Sequence, residues 1–599
     1  MVVYRRTLAK LGYALRLIWE SSRGVSVAHA GVVIAQAALS LGTLVLLKLV
    51  IDAVTAGLAG PEPAAAFGRV GILIGFTAIV AVLSAACGSL DTALSEVLRE
   101  RVSDHLQELV HAKSGEVDLE HFENAHFLDT LHRAQIETPA RAANVLTILL
   151  QVVRSAVMLV AIAGLLFTFS WWIVPVLLIA DLPGAIFRIR SSLAQFRWTR
   201  ERSTLEREAR NYGILLGAYR LAQEIRVFDL VRIFSGRFRA IRQRLRGERE
   251  QLVRRRVAFE ALGSGCAAVA MLVVFSVIAQ QALAGTVTVG DVVMYFAAFQ
   301  RGNGQLHELL HGTARFYESS LYLTELSEFL ALEPKIRDPE PPKSIPDPLR
   351  TGITVERVTF TYPGSERPAL RDVSLHARPG ERIAIVGANG SGKTTLVKLL
   401  CRFYDPERGR ITVDGTSLGE LSRTAWWKNI SVFFQEHGNY YLSARDNIAM
   451  GDAAGTPDAE AISAAARRSD AHKMIERLPH GYDTVLGSFR EHNAELSAGE
   501  WQKVALARTQ LREAPISIYD EPTSMMDVLS EQRVLESIWN PAPGRITILI
   551  SHRLSAVRLA DRIYVLADGC LAETGTHDEL MRLGGTYSEL FSAQAVHYR

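Results

Sequence analysis

A chain of 599 residues exceeds what one hydrophobic core supports, so at least two domains are expected. Hydrophobic residues make up 48% of it although 22% are charged, so the apolar residues must be unevenly shared, and a formal net charge of +3 makes no case for a nucleic-acid partner. Cys87, Cys266, Cys401 and Cys570 are widely scattered and suggest neither a disulfide framework nor a zinc site.

The apolar residues concentrate before residue 330. Residues 4–19 set Leu8, Leu11, Leu15 and Trp19 among Arg5, Arg6, Lys10 and Arg16. That pattern suits a helix on the cytosolic membrane surface or an ordinary amphipathic helix packed on protein. Stretches long enough to cross a bilayer follow at about 27–51, 70–90, 146–168, 171–187 and 260–283, with a weaker, more polar sixth from Gly290 toward Leu310. Arg188, Arg190, Arg197, Arg200, Arg237, Arg239, Arg254, Arg255 and Arg256 crowd the loop after the fourth span, while the segments near 53–68, 169–170 and 284–289 carry almost no positive charge. By the positive-inside rule both termini and the two long loops are cytosolic. Glu201, Glu206, Glu208, Glu248 and Glu250 balance the arginines and favour solvated helices extending below the membrane over nucleic-acid binding.

Polar residues inside spans are costly, so those present suggest a lined pathway. Lys48 and Asp52 are four apart and can pair on one helical face. Arg154, Asp181, Gln300, Arg301, Asn303 and His307 add to the set. The alternatives are that Lys48 snorkels and the others pair with one another or lie below the bilayer.

From Glu333 to Pro348 six prolines rule out a helix or central strand, so an extended linker is expected at 333–349, between a membrane domain at 1–332 and a second domain at 350–599. The second domain carries short β-rich apolar runs: Ile353 to Val355, Ile383 to Val386, Ile411 to Val413, Ile430 to Phe434, Ile516 to Tyr519, Ile546 to Ile550 and Ile563 to Leu566. Asp414-Gly415 and Asp568-Gly569 are hairpin signals. Helical segments between the runs argue an α/β domain with a largely parallel sheet.

Within it, Ile383 to Val386 runs directly into Gly387-Ala388-Asn389-Gly390-Ser391-Gly392-Lys393-Thr394-Thr395 and then a helix-spaced apolar run. Strand, glycine-rich loop and helix in that order form a phosphate cradle: backbone N–H groups converge on phosphate oxygens at the positive end of a helix. Lys393 is expected to reach the β- and γ-phosphates and Thr394 to place its hydroxyl on a magnesium ion. The second motif, Ile516-Ser-Ile-Tyr519-Asp520-Glu521, ends a strand in two carboxylates. Asp520 would stand beside the magnesium shell and Glu521 would orient or deprotonate an attacking water. Alone, such a pair is also a common helix N-terminus.

Between these motifs lies Leu496-Ser497-Ala498-Gly499-Glu500-Trp501-Gln502-Lys503, and here the chain resembles the ATP-binding cassette (ABC) superfamily, whose signature reads approximately LSGGQ. The resemblance continues in register. Tyr362 matches the aromatic residue that stacks on adenine, Gln435 the glutamine between magnesium site and membrane domain, Asp527 the D-loop aspartate, and His552 the histidine at the γ-phosphate. Six spans ahead of one such domain resemble an ABC exporter half-transporter. The resemblance implies a fold of six transmembrane helices fused to an α/β P-loop ATPase domain, and ATP and Mg2+ as cofactors. It also implies a dimer with a second copy or a homologous half-transporter, in which Ser497 and Gly499 of one chain complete the site on Lys393 of the other. Gln435, Glu521 and His552 would be catalytic. Phe122, Asn124 and Phe127, and the segment from Tyr212 to Tyr219, match the positions of the family's coupling helices, although either segment could be an internal turn.

Three departures stand out. Ala498 replaces a usual glycine, so any torsion restricted to glycine there would be strained. Glu500 replaces the glutamine, and Gly487 to Glu495 differs from the family's usual run. The expected function is ATP-driven export of an amphiphilic peptide, metabolite or drug-like molecule across a bacterial plasma membrane. A lipid flippase or an ATP-gated channel or regulator is the alternative.

Overall fold

The computed structural model describes residues 19–59, 63–123, 138–169, 171–218, 221–487 and 493–596, together with Gly12 and Arg16. Most of the expected surface helix at 4–19, and Asn124, Phe127 and Tyr219, lie outside the described residues. Contacts divide the chain into two units, Met1–Glu116 with Ala125–Leu332, and Val117–Asn124 with Glu333–Arg599.

The first unit is helical. Its long helices are α1 (Arg23–Ala59), α2 (Pro63–Glu116), α4 (Thr138–Phe169), α5 (Ile173–Glu201), α8 (Leu230–Leu283) and α9 (Val289–Leu330), with the shorter α6 (Ser203–Gly217) and α7 (Ala222–Val227) between α5 and α8. The short α3 (Leu119–Glu123) belongs to the second unit. The six long helices stand where the six spans are expected, and four of them, α1, α2, α4 and α8, are long and apolar enough to cross a membrane. Helix is the outcome because lipid offers no partner for a free N–H or C=O. At 54 residues each, α2 and α8 reach about 80 Å, well beyond a hydrocarbon core of about 30 Å, so the arginine-rich segment is a helical extension. Leu44, Ile162, Leu166, Val274, Ile278, Ala298 and Phe299 form a buried core, while Ile34, Ile72, Phe76, Val82 and Leu272 face outward, as lipid requires.

Lys48 and Asp52 do not pair with each other in the way their spacing suggests. Lys48 Nζ lies 2.6 Å from Asp291, and Asp52 accepts from the Gly290 N–H at 3.0 Å. Both turn to the first turn of α9 because it offers a capping carboxylate and a backbone N–H without a helical partner. A Cβ on Gly290 would stand 2.5 Å from the Asp52 carboxylate, so this approach needs glycine. Arg154 is 2.8 Å from Asp91, which in turn lies 3.0 Å from His29. Arg301 donates to the Ser40 carbonyl at 3.2 Å. The side chain of Asp181 lies outside the described residues.

The second unit holds two sheets. Strands β1 (Ile353–Phe360), β2 (Leu370–Ala377), β4 (Arg408–Val413) and β5 (Thr416–Ser417) form an antiparallel sheet in the order β2-β1-β4-β5. Strands β3 (Arg382–Val386), β6 (Ile430–Phe433), β7 (Ile516–Asp520), β8 (Ile546–Ile550), β9 (Arg562–Ala567) and β10 (Cys570–Gly575) form the other, β10-β9-β3-β8-β7-β6, parallel except at β10. Both hairpin signals are turns: Asp414-Gly415 joins β4 to β5 and Asp568-Gly569 joins β9 to β10, all four residues at positive φ. The helices that matter below are α10 (Lys393–Leu400), α11 (Ala459–Arg468), α12 (Ala498–Leu511), α13 (Val528–Ile538), α14 (Leu554–Val557) and α15 (Thr586–Val596). The proline-rich segment lies along this unit: Lys343 bridges to Leu421, and Ile345 and Leu349 pack on its core.

Asp470, just beyond α11, fastens three helices of this unit. Its carboxylate meets Lys503 of α12 and Arg533 of α13 at 2.8 Å each, and accepts from the Ser530 hydroxyl at 2.9 Å. Burial pushes the carboxyl up, but hydrogen bonds from Arg533, Lys503 and Ser530 outweigh it and hold the group at about 2. A depressed carboxyl stabilises the fold above its unfolded value, near 4, and loses that effect as pH falls through the folded value. Asp470→Asn is therefore expected to lower the thermal unfolding midpoint of the full chain at pH 7. The gap to the unsubstituted protein should close as the pH is taken from about 4 toward 2. A gap independent of pH would refute the ionic account.

Candidate functional site

Strand β3 delivers the chain into the loop Gly387–Gly392 and thence into α10. Gly387 and Gly392 have φ of 155° and 101°. A Cβ on Gly387 would lie 2.2 Å from the Leu566 carbonyl oxygen, and one on Gly392 2.5 Å from Leu370 Cδ2, so larger residues fit at neither position. Lys393 folds back over the loop, its ammonium donating to the carbonyls of Gly387 and Ala388 at 2.9 Å each. Burial lowers its pKa, against the pull of Glu521 and Asp520. The Ser391 hydroxyl is buried without a hydrogen-bond partner. A buried ammonium satisfied by carbonyls and an orphan hydroxyl make a cradle with donors in reserve.

Asp520 ends β7 almost fully buried. Burial first, and the adjacent Glu521 second, push its carboxyl up to about 6, although a hydrogen bond from Thr394 and the charge of Lys393 work the other way. Glu521 takes a left-handed backbone, φ 52°, costly for a residue with a Cβ and found where a site must aim a side chain. Its carboxylate is held between His552 Nδ1 at 3.2 Å and Gln435 Nε2 at 3.1 Å. Tyr362 stands at the other end of the loop, its hydroxyl donating to Thr395 at 3.1 Å and its ring edge-on to Tyr404 at 5.6 Å.

One open cavity of about 750 Å³ is lined by Tyr362, the loop with Asn389, Gly390, Thr394 and Thr395, and Gln435, Glu521 and His552, while Ser391 and Asp520 stand behind its wall. The sequence reading missed Ser551, Leu590 and Gln594, which also line it. Ser551 was within reach as the neighbour of His552. Nothing local marks Leu590 and Gln594, which arrive on α15.

Ser497, Gly499 and Asp527 are not among the residues lining that cavity. Ser497 caps α12: its hydroxyl oxygen accepts from the Glu500 N–H, while the Glu500 carboxylate accepts from the Ser497 N–H and hydroxyl at 2.8 Å each. Glu500 thus completes a capping box. Asp527 caps α13 through the N–H groups of Leu529 and Ser530. Ala498 is the first residue of α12 with an ordinary helical start, so the strain expected there is absent. The close approach falls at Gly499, where a Cβ would lie 2.6 Å from the Met525 carbonyl oxygen. Gln502 ties the same helix to the strand end, donating to the Glu521 carbonyl at 3.3 Å and accepting from the Met525 N–H at 3.0 Å. Of the unusual run 487–495, residues 488–492 lie outside the described residues.

Residues 117–123 belong to this unit. Glu123 accepts from Lys398 at 2.6 Å and from the Tyr404 hydroxyl at 2.8 Å, and Lys398 sits 5.1 Å from the centre of the Tyr362 ring. Tyr212, in the first unit, donates to Glu208 at 3.2 Å.

The sequence matches the profile of the ABC transporter family over residues 370–524. It is 36% identical over 374 residues to the ATP-dependent lipid A-core flippase of Alkalilimnicola ehrlichii, a match covering 62% of each chain. It is 31% identical over 430 residues to the flippase of that name from Aromatoleum aromaticum, covering 71% of this chain and 69% of the relative. The subtilin transport ATP-binding protein SpaT of Bacillus subtilis is 26% identical over 481 residues, covering 80% and 78%. Among solved structures, a bacterial Atm1-family ABC exporter with ATP bound superimposes with a TM-score of 0.81 over 96% of this chain and 98% of its own, at 24% identity, which speaks for the fold. With its helical membrane unit and its phosphate-loop unit, the chain belongs to the ABC transporter family.

Proposed function

We propose that the chain is half of an exporter that hydrolyses ATP on the cytosolic face and moves an amphiphilic molecule outward, most simply as a homodimer in a bacterial plasma membrane. The observation that carries this is Glu521. A carboxylate aimed by a strained backbone and held by His552 and Gln435 at the mouth of a phosphate loop suits water activation better than nucleotide binding alone. Lys393 and the loop N–H groups hold the phosphates, and the Lys393 ammonium exchanges its two carbonyl partners for them. Tyr362 supplies a stacking face for the base.

Thr394, Asp520 and Gln435 offer hard oxygen donors, which fit magnesium, and bound there the ion would neutralise charge on the phosphate oxygens. Among the described residues no group of three or more His, Cys, Asp or Glu is placed to hold a metal. Magnesium that shares phosphate and water oxygens needs only one or two protein ligands. Ser497 and Gly499 open α12 away from their own chain's cavity, which supports a second copy as the one that closes over the site. The relatives above are named for lipid A-core and for subtilin, a lipid and a peptide, which supports an amphiphilic cargo and makes lipid flipping the second reading.

Glu521→Gln is expected to abolish turnover while ATP still binds, because the phosphate cradle is intact; phosphate release at the normal rate would reject the assignment. Lys393→Ala should weaken ATP binding, read as nucleotide affinity of the purified chain, and unchanged affinity would count against the loop. Ala498→Gly should leave ATPase within about twofold of the original, while Gly499→Ala, which forces a Cβ against Met525, should cut it by tenfold or more, on the order of one lost transition-state contact. Inside-out vesicles offered a host extract with ATP, and compared with vesicles carrying Glu521→Gln, would identify the cargo by mass. Turnover without any ATP-dependent enrichment would favour the flippase reading.

A further inference from the structure

His552 can hold Glu521 only if the backbone carrying it is fixed, and that backbone leaves β8 at Ile550 for a loop before the short α14. Ser551 secures one point, its hydroxyl accepting from the Arg553 N–H at 3.0 Å. The Arg553 side chain secures another, on Glu531 and the Ser524 carbonyl. The polar groups on either side of Arg553 are met from a distant part of the chain. The Gln594 amide donates to the His552 carbonyl at 2.5 Å and accepts from the Leu554 N–H at 2.9 Å.

Gln594 is itself well anchored. Helix α15 begins with its Thr586 and Tyr587 N–H groups bound by the Glu573 carboxylate at 2.5 and 3.1 Å. Tyr587 is fully buried, its hydroxyl 2.9 Å from His577 Nδ1, and its ring lies 6.1 Å from that of Phe591. Residues 587, 590, 591 and 594 recur at helical spacing, so one face of α15 runs from the core, past Leu590, to the amide at the cavity wall. One amide bonding both a carbonyl and an N–H two residues apart fixes the rotation of the backbone between them.

We propose that Gln594 is a positioning residue for the hydrolytic reaction: α15 braces the His552 loop and so sets where the imidazole meets Glu521. This rests on the hydrolytic reading above. Both bonds of the Gln594 amide go to backbone groups of the His552 loop, so although the side chain stands at the cavity wall, the brace is expected to act on the rate and leave nucleotide affinity nearly unchanged.

The test uses the full chain in lipid vesicles, with Gln594→Ala and with Gln594→Leu, which keeps the bulk of the side chain. Both variants should lower kcat by about ten- to a hundredfold, the scale on which a misplaced reacting group costs rate, with KM for ATP within about twofold. In a His552→Ala background neither should lower kcat further, because the histidine they act through is gone. Hydrogen exchange of the Leu554 amide should rise in both. An unchanged kcat, a loss that adds to that of His552→Ala, or an unchanged Leu554 exchange would each overturn the proposal. Should the original chain bind ATP without turning it over, the hydrolytic reading fails, and the exchange at Leu554 still decides whether Gln594 braces the loop.

Discussion

The site depends on three neighbouring parallel strands that stop at one edge. In the register of the sheet, Ile385 of β3 lies beside Ile550 of β8, and Asp520 of β7 lies on the other side of that same residue. Within two residues along each chain come the phosphate loop, the His552 loop and Glu521. The ladder even runs one step past the strands, with Ser551 donating to the Ile385 carbonyl and Glu521 to that of Ile550. Ile383, Ile385, Ile518, Ile548 and Ile550 are fully buried behind this edge, each burial stabilising by roughly 1.5–3 kcal/mol. The core sets the spacing of the reactive groups, and the groups themselves are free to be electrostatically unfavourable.

They use that freedom. Asp520 and Glu521 are adjacent carboxylates, one almost fully buried and pushed up to about 6, beside an ammonium that burial disfavours. Left to themselves the two carboxylates repel each other, and burial disfavours both the Asp520 carboxylate and the ammonium, which their mutual attraction offsets only in part. The sheet holds the arrangement, and a cation beside Asp520 and an anion on Lys393 would relieve it. Gln502 extends the same logic to α12. By bonding the Glu521 carbonyl, the Ser524 hydroxyl and the Met525 N–H, it makes the position of the Ser497 end of that helix depend on the backbone that aims the carboxylate.

What could be read from residues alone follows the range of the interaction. The phosphate loop, the Asp520-Glu521 strand end, the two Asp-Gly hairpins and the six long helices are written in contiguous residues with a local cause, and they stand where expected. Strand β2, with Arg371, Asp372 and His376 among its apolar residues, was not recognised, because it pairs in the antiparallel sheet and exposes one face. The strain expected at Ala498 came from comparing letters. In the backbone the tight position is one residue on, where Met525 approaches from another segment. Glu123 on Lys398, Asp91 on Arg154 and Gln594 on His552 each join residues far apart in the chain, and no periodicity announces such a partner.

The same distinction bears on the polar residues of the membrane unit. An ionised side chain left alone in a bilayer costs at least about 2.5–3.5 kcal/mol, so its presence invites a functional reading. Lys48 is spent on Asp291 and Arg154 on Asp91, while Asp52 holds the Gly290 N–H. Each contact joins two helices that are distant in sequence, and each removes the cost that made the residue conspicuous. They need no cargo to explain them, and a cargo that used them would first have to break a helix-to-helix clasp. Under the proposed export of an amphiphile, selection would rest on the shape left between the helices. A tally of charges along the spans counts the clasps and says nothing of that shape.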